Sequence, residues 1–351
     1  MPESKILIIG GGPAGLEAAR SISDIGYSAV IVEKRDSLGG TPNEANYAKL
    51  THHFKDAGEV FDEIVRNVTE SPNIEVMTGS EVESYEGQAG SFKVTVKTGG
   101  KTQVVEAGSI IVATGFQHFD PARETQYYNY YSYPDVITIA DLEGMLKSGN
   151  LVRPSNGKAP EKVAFIQCVG SRDRQIGNEF CSKVCCGISS KQAIEVREML
   201  PDSKVMIFYI DMRMYGYWEN EIYWPAQEKH KVNYVKGIVS EILQKGDRLL
   251  MRGEDTTMGR PMEVEMDLVV LAVGMEPSAG TRAMSQTLGI DQNKYGFIAA
   301  GGTSGVDPVA TSVPGIFVAG AAAGPADLDD SFTMGGLAAA RAVAAMRRVM
   351  A

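Results

Sequence analysis

The feature that most constrains this chain is the order of its first elements. An apolar run, Lys5 to Ile9 (KILII), is followed at once by Gly10-Gly11-Gly12-Pro13-Ala14-Gly15, then by a helical pattern from Leu16 to about Ile25. A second apolar run, Ala29 to Val32, leads into Glu33. Strand, G-x-G-x-x-G turn, helix, strand and terminal acid in this register predict a dinucleotide-binding βαβ unit. Gly10 suits the tight turn, Gly12 lets a pyrophosphate approach backbone N–H groups, and Gly15 lets helix and strand pack closely. Pro13 and Ala14 open the helix, whose N-terminus favours phosphate, and Glu33 is positioned to accept from ribose hydroxyls. A glycine-rich turn without a ligand is the bland alternative; the agreement of all five parts argues against it.

Length and composition narrow the class. At about 150 residues per domain, 351 residues suggest two domains. Apolar residues make up 44% and charged residues 22%, an ordinary globular balance. The net charge is −10, with no basic run to bind a phosphate backbone, so nucleic acid is an improbable partner. The uncharged stretch from Pro308 to Ala326 holds three prolines and several glycines, and reads as strand and loop rather than a membrane span. The apolar N-terminal stretch is itself the nucleotide motif, so no leader is expected. A soluble, cytoplasmic protein is the expectation.

A second nucleotide-type unit is legible in the middle of the chain: strand Val163 to Gln167, a helix around Ser189 to Met199, and strand Lys204 to Ile210. Its phosphate loop is missing. After the first strand the chain reads Gln167-Cys168-Val169-Gly170-Ser171-Arg172-Asp173, and Cys181-Ser182-Lys183-Val184-Cys185-Cys186 then opens the helix. Asp211 follows the second strand where a ribose acid would sit, but without the loop NAD(P)H is not expected here. All four cysteines of the protein lie between residues 168 and 186. Buried small hydrophobes, a disulfide, zinc and an iron–sulfur cluster are the possibilities. A reducing compartment disfavours disulfides. The C-x12-C-x3-C-C spacing matches neither paired C-x-x-C zinc sites nor the common ferredoxin run. On residue type alone, iron–sulfur leads zinc only modestly.

Three further segments resemble the flavoproteins with two dinucleotide-binding domains, of the glutathione and thioredoxin reductase type. Glu33-Lys34-Arg35-Asp36-Ser37-Leu38-Gly39-Gly40-Thr41 is similar to their E-K-x-x-x-x-G-G-T stretch, Ile110 to Gly115 (IIVATG) to their A-T-G segment, and Thr311 to Ala321 to their C-terminal FAD motif. The resemblance implies an α/β fold of two Rossmann-like domains, the second inserted into the first. It implies FAD held at Gly10, Gly12, Pro13, Ala14, Gly15, Glu33, Lys34, Gly39, Gly40, Thr41, Val82, Ala113, Thr114, Gly115, Gly320 and Ala321. The expected division is 1–135 with 276–351 for a discontinuous FAD domain, whose segment 92–107 forms a hairpin, and 136–275 for the insert. One departure stands out: Ala321 replaces the family's ribityl-binding Asp, so that contact falls to backbone. Pro42 and Tyr47 occupy the positions of the redox-active C-x4-C, which excludes a dithiol mechanism.

The cysteine segments closely resemble the A-type subunit of heterodisulfide reductase, and the short form resembles that of the heterodisulfide-reductase-like complex of sulfur-oxidising prokaryotes. The resemblance implies that Cys168, Cys181, Cys185 and Cys186 ligate one [4Fe-4S] cluster beside FAD. It also implies that Lys191 lies near the flavin to stabilise its reduced anion, an exposed helix lysine being the alternative. B- and C-type partner subunits and a homodimer are expected, with a stand-alone NAD(P)H-dependent flavin oxidoreductase as the competing reading. Smaller signals carry less. Tyr127, Tyr128, Tyr130, Tyr131 and Tyr133 read as a packed connector or interface, and Trp218, Tyr223 and Trp224 as core or contact residues in a helical stretch. His52 and His53 read as packing on a helix, with a flavin contact as the lesser alternative. Gly335-Gly336 is taken to begin the last helix, with a cofactor role allowed.

Overall fold

The computed structural model describes residues 5–51, 53–302 and 305–350. The chain opens with β1 (Lys5–Ile9), α1 (Pro13–Asp24), β2 (Ala29–Val32), the single turn α2 (Thr41–Glu44), α3 (Ala57–Thr69) and β3 (Ile74–Met77). A meander follows: β4 (Ser80–Glu86), β5 (Phe92–Thr98) and β6 (Lys101–Val112). After β7 (Phe116–His118) come β8 (Val136–Thr138), α4 (Ile139–Ser148), β9 (Lys162–Val169), α5 (Cys185–Met199), β10 (Lys204–Tyr209) and α6 (Trp224–Glu228). A second meander, β11 (Asn233–Lys245), β12 (Arg248–Asp255) and β13 (Arg260–Met266), precedes β14 (Leu268–Val273) and β15 (Met275–Pro277). The chain ends through α7 (Ala279–Leu288), β16 (Ile316–Val318) and α8 (Leu328–Met350).

Packing divides this walk into two compact units, one of residues 1–44, 59–117 and 276–351, the other of 45–58 and 118–275. The expected boundaries differ from these, because residues 45–58 and 118–135 pack with the second unit rather than the first. Backbone bonds make the difference visible. Tyr127 donates to Ser240 and Ile242 donates back to Tyr127, which adds the connector to the edge of β11. Ala48 donates its N–H to Glu143 of α4 at 2.9 Å.

The two units share one plan. In the first sheet the order is β3-β2-β1-β6-β5-β4, with β16 also beside β6. Its β3, β2, β1, β6 and β16 are parallel, and β4, β5 and β6 antiparallel. The hairpin expected over 92–107 is there, turning at Gly99-Gly100. In the second sheet the order is β13-β12-β11-β10-β9-β14-β8, again parallel strands carrying an antiparallel meander. The parallel strands β1, β2 and β14 are apolar and buried along almost their whole length, as strands covered on both faces must be.

The last helix departs from expectation. It starts at Leu328, not at Gly335, because Asp327 and Asp330 exchange side-chain-to-backbone bonds of 3.1 and 2.8 Å and cap its first turn. Gly335 instead lets α8 approach α1: a Cβ there would meet the Ala14 carbonyl oxygen at 2.4 Å. Among the described residues no helix is long and apolar enough to cross a membrane.

Candidate functional site

In the first unit the glycine loop is closed on every side. Gly10 has φ +110°, and a Cβ there would stand 2.4 Å from the Ala113 carbonyl oxygen. At Gly15 a Cβ would stand 1.9 Å from the Gly10 carbonyl oxygen, so helix and strand touch through backbone. Gly39 donates to the Gly11 carbonyl at 2.9 Å, and a Cβ on Gly40 would meet Gly12 Cα at 2.8 Å. The two glycine loops thus meet backbone to backbone at Gly12 and Gly40, while the Leu38 side chain packs against Gly11. Helix α1 begins at Pro13 with no side-chain cap on Gly12, so its first-turn N–H groups are left for a ligand or water.

Glu33 is buried and its carboxylate is already shaped by the loops. Oε2 accepts from the Gly11 N–H at 2.6 Å and Oε1 from the Arg35 N–H at 2.9 Å. Lys34, by contrast, points to the surface in an ion pair with Glu81 at 2.5 Å, with most of its side chain in water. Thr41 opens the single turn α2. Val82 is buried among Val32, Val94, Val96 and Val112, so any ligand contact it makes is by backbone. Ala113 donates to Ile9 at 2.8 Å and carries the A-T-G segment to the end of β1. Thr114 shares its hydroxyl with that of Thr281 at 2.8 Å, Ser278 Oγ donates to the Thr114 carbonyl and Thr281 Oγ1 to that of Gly115. Gly320, at φ +64°, sits with its Cα facing Ala14, and Ala321 is buried in the short turn Gly320–Ala322. All these positions except Val82, which lies within the antiparallel strand β4, fall at the C-terminal ends of the parallel strands of one sheet, in the loops that follow them or in the helix starts. That is where open α/β sheets bind ligands.

In the second unit the cysteines gather where β9 ends and α5 begins. Cys168 has φ +64°, Arg172 +60° and Lys183 +67°. Three non-glycine residues in the left-handed region, close together, mark a segment held by its surroundings. Ser171 and Ser182 hydroxyls bond at 2.6 Å, and Ser182 Oγ accepts from the Met275 N–H at 2.8 Å, joining both cysteine segments to the end of β14. Glu124 accepts from the Gly170 N–H at 2.7 Å. Cys185 and Cys186 are buried in the first turn of α5, and Trp218 lies over the neighbouring Gly187, where a Cβ would meet the indole at 2.6 Å. The N–H of Lys183 points at Cys181 Sγ (3.3 Å) and that of Arg213 at Cys186 Sγ (3.5 Å), while Cys185 Sγ faces the Val273 carbonyl at 3.7 Å. None is in a disulfide.

Burial pushes the Cys168 thiol up to about 11, and nearby Cys186 adds to it. Cys185, more deeply buried and facing the other three, is pushed well above the ordinary thiol range, and burial raises Cys186 as well. Thiols raised in this way, Cys168, Cys185 and Cys186, give up their protons readily only to a cationic group placed among them. Among the described residues no three His, Cys, Asp or Glu side chains converge tightly enough for a single metal ion. Gln167, next to Cys168 and also buried, has neither amide atom bonded, which suits a partner not made of protein. The donor set fits a cluster.

Lys191 departs from the exposed-helix alternative. It is 2% exposed, donates to Glu143 Oε1 at 2.7 Å and to the Lys49 carbonyl at 2.8 Å, and forms an ion pair with Glu195 Oε2 at 3.0 Å. Gln192 adds bonds to Ile139 O (2.7 Å) and Glu143 (2.8 Å), so the group ties α5 to α4 and to the segment around Ala48. Burial raises the Glu195 carboxyl against the pull of Lys191. This network was invisible in the sequence, because a helix lysine is ordinarily exposed. The histidine pair also differs: the chain at His53 and Phe54 is a left-handed turn (φ +52° each), not a helix, and His53 Nδ1 lies 3.1 Å from Glu221. His52 lies outside the described residues. Trp218 is buried as expected, whereas Trp224 is half exposed.

Residues 4–145 match the model of the pyridine nucleotide-disulphide oxidoreductases. The chain is 31% identical, over 98% of its length, to the A subunit of the H(2):CoB-CoM heterodisulfide,ferredoxin reductase of Methanothermobacter thermautotrophicus, of which it spans 64%. It is also 31% identical to the iron-sulfur A subunit of the CoB–CoM heterodisulfide reductase of Methanocaldococcus jannaschii, over 94% of this chain and 62% of that protein. It thus spans less than two thirds of these relatives. Among solved structures, it is similar to T. acidophilum thioredoxin reductase (TM-score 0.65, 20% identity, 99% of this chain and 100% of that one). It is similar also to Lactococcus lactis thioredoxin reductase (TM-score 0.66, 19% identity, 98% and 99%). The chain thus has the α/β fold of the thioredoxin reductases, with two Rossmann-like sheets, and is similar over nearly all its length to the A-type subunits of heterodisulfide reductases.

Proposed function

We propose that this chain is an FAD- and [4Fe-4S]-containing electron-transfer subunit of a heterodisulfide-reductase-like complex, passing electrons between B- and C-type partner subunits in cytoplasmic sulfur oxidation. The observation that carries the reading is the cysteine set in the second unit. Where a nicotinamide-binding relative keeps a glycine phosphate loop, four thiols stand at the same strand-to-helix junction. The dithiol of the glutathione reductase type has no counterpart, since Pro42 and Tyr47 occupy its C-x4-C positions, and the C-x-x-C of the thioredoxin reductases is absent from the sequence as well.

The residues divide the work by type. Gly10, Gly12, Pro13, Ala14 and Gly15 offer backbone N–H groups and the α1 terminus to a pyrophosphate. Glu33, held by Gly11 and Arg35, accepts from ribose hydroxyls. Gly39, Gly40 and Thr41, with Val82, Ala113, Thr114 and Gly115, give the cofactor a backbone wall, and Gly320 and Ala321 contact it by main chain in place of the missing carboxylate. Lys34, exposed and paired with Glu81, is at most peripheral. A bound flavin takes electrons in pairs and a cluster takes them singly, which makes the combination a two-to-one converter. Cys168, Cys181, Cys185 and Cys186 would ligate the cluster and lose their protons in doing so.

Individual Cys→Ala variants at these four positions test the assignment. Each is expected to lose most of its iron and keep its flavin after anaerobic reconstitution. Retention of full iron by any two of them would overturn it. Oxidation of NADH by the isolated chain at catalytic rates would favour the stand-alone flavin oxidoreductase instead.

A further inference from the structure

Asp211 stands just past β10, at the strand end where a dinucleotide-binding unit reads a ribose. Here its carboxylate is engaged by Arg172 through two contacts, the closer to Nη1 and the other, Oδ2 to Nη2, at 3.3 Å. Arg213 Nε lies 3.6 Å from the same carboxylate. The same Arg172 Nη1 lies 3.9 Å from Cys168 Sγ, and the backbone N–H of Arg213 points at Cys186 Sγ. The loop fixes this reach. Arg172 is held in the left-handed region by its N–H to the Phe180 carbonyl (2.9 Å), while Asp173 and Asn178 close the small hairpin beneath it. Its side chain is about one-fifth exposed, so solvent only partly screens the charge.

We infer that Arg172 and Asp211 form a charge pair built from the lost ribose-reading position, which sets the reduction potential of the group held by the four cysteines. The inference rests on the cluster reading above. The guanidinium stabilises added negative charge at the Cys168 side, and Asp211 both aims it and offsets part of its charge. Hydrogen bonds and charges next to the ligand sulfurs are established levers on cluster potential. With both guanidinia on its carboxylate, Asp211 is no longer offered to a ribose. The two residues are positioning residues, and they act with opposite sign.

The test is an anaerobic redox titration of the reconstituted chain, followed by cluster spectroscopy, for wild type, Arg172→Gln, Arg172→Lys and Asp211→Asn, with iron and flavin quantified on each sample. Arg172→Gln is expected to lower the cluster midpoint potential, Arg172→Lys to stay near wild type, and Asp211→Asn to raise it, with the flavin potential unmoved in all three. Equal shifts in Arg172→Gln and Arg172→Lys, or a fall in Asp211→Asn, would overturn the inference. Should Arg172→Gln fail to hold iron, the Asp211→Asn shift alone decides. Wild-type chain without iron would instead sink the cluster reading itself, a failure told apart by the metal analysis.

Discussion

Single residues carry the sharpest consequences. Gly10 has a left-handed φ and no room for a Cβ before the Ala113 carbonyl oxygen. Gly10→Ala combines backbone strain with overpacking against main chain, about 2–4 kcal/mol together. Thermal melting of this variant should show that loss together with loss of bound flavin; a wild-type melting temperature would contradict the geometry. Lys191 neutralises two buried carboxylates, and Lys191→Met leaves them unpaired at a cost of about 3–5 kcal/mol. Adding Glu143→Gln should restore part of that in chemical denaturation. A stable Lys191→Met chain with only a displaced flavin potential would instead return Lys191 to the flavin. The lysine's role was not legible because its partner Glu143 lies 48 positions away and residue type favours exposure.

Acid sensitivity is also a residue-scale matter. Burial works against the Asp307 carboxylate, but N–H bonds from Val309 and Ala310 and the Arg341 guanidinium at 2.6 Å outweigh it and hold the carboxyl below its usual range. A depressed carboxyl means that the unfolded chain binds the proton more readily. The stabilisation is therefore complete above about pH 4, the unfolded value, and is lost as pH falls through the folded one. Denaturation midpoints measured from pH 6 down to pH 3 should fall less steeply for Asp307→Asn than for wild type. Parallel curves would refute the assignment.

At the scale of elements, legibility followed periodicity and turn chemistry. Strands β1 and β2 fall where the apolar runs ended at glycine and glutamate, and β9, α5 and β10 lie within a few residues of their expected ends, because their signals are local. Elements set by distant partners were misread. Helix α8 begins earlier than Gly335 because an aspartate box, not a glycine pair, caps it. The turn at His53 escaped notice because nothing in His-His-Phe signals a left-handed backbone. Gly335 itself serves the contact of α8 with α1, and Gly335→Ala should destabilise by about 1–3 kcal/mol from the clash with Ala14, visible as a lower urea midpoint. An unchanged midpoint would show that the helices slide apart freely.

For the molecule as a whole, two units of one plan have diverged in what their strand ends present. The first presents a glycine cradle with the buried acid Glu33 held by Gly11 and Arg35; the second presents thiols at the corresponding junction and turns Asp211 toward arginines. The glycine motif and the clustering of the cysteines were plain in the sequence. The left-handed cysteine segment and the Arg172–Asp211 pair were not, since both depend on how β9, β10 and β14 bring their ends together. The most direct measurement is the anaerobic visible spectrum of the purified, reconstituted chain, with flavin, iron, acid-labile sulfide and zinc determined on one sample. Flavin bands over a broad cluster absorption are expected, with about four irons and four sulfides per chain. Flavin with zinc, or flavin with no metal, would contradict the pairing of flavin and cluster on this chain.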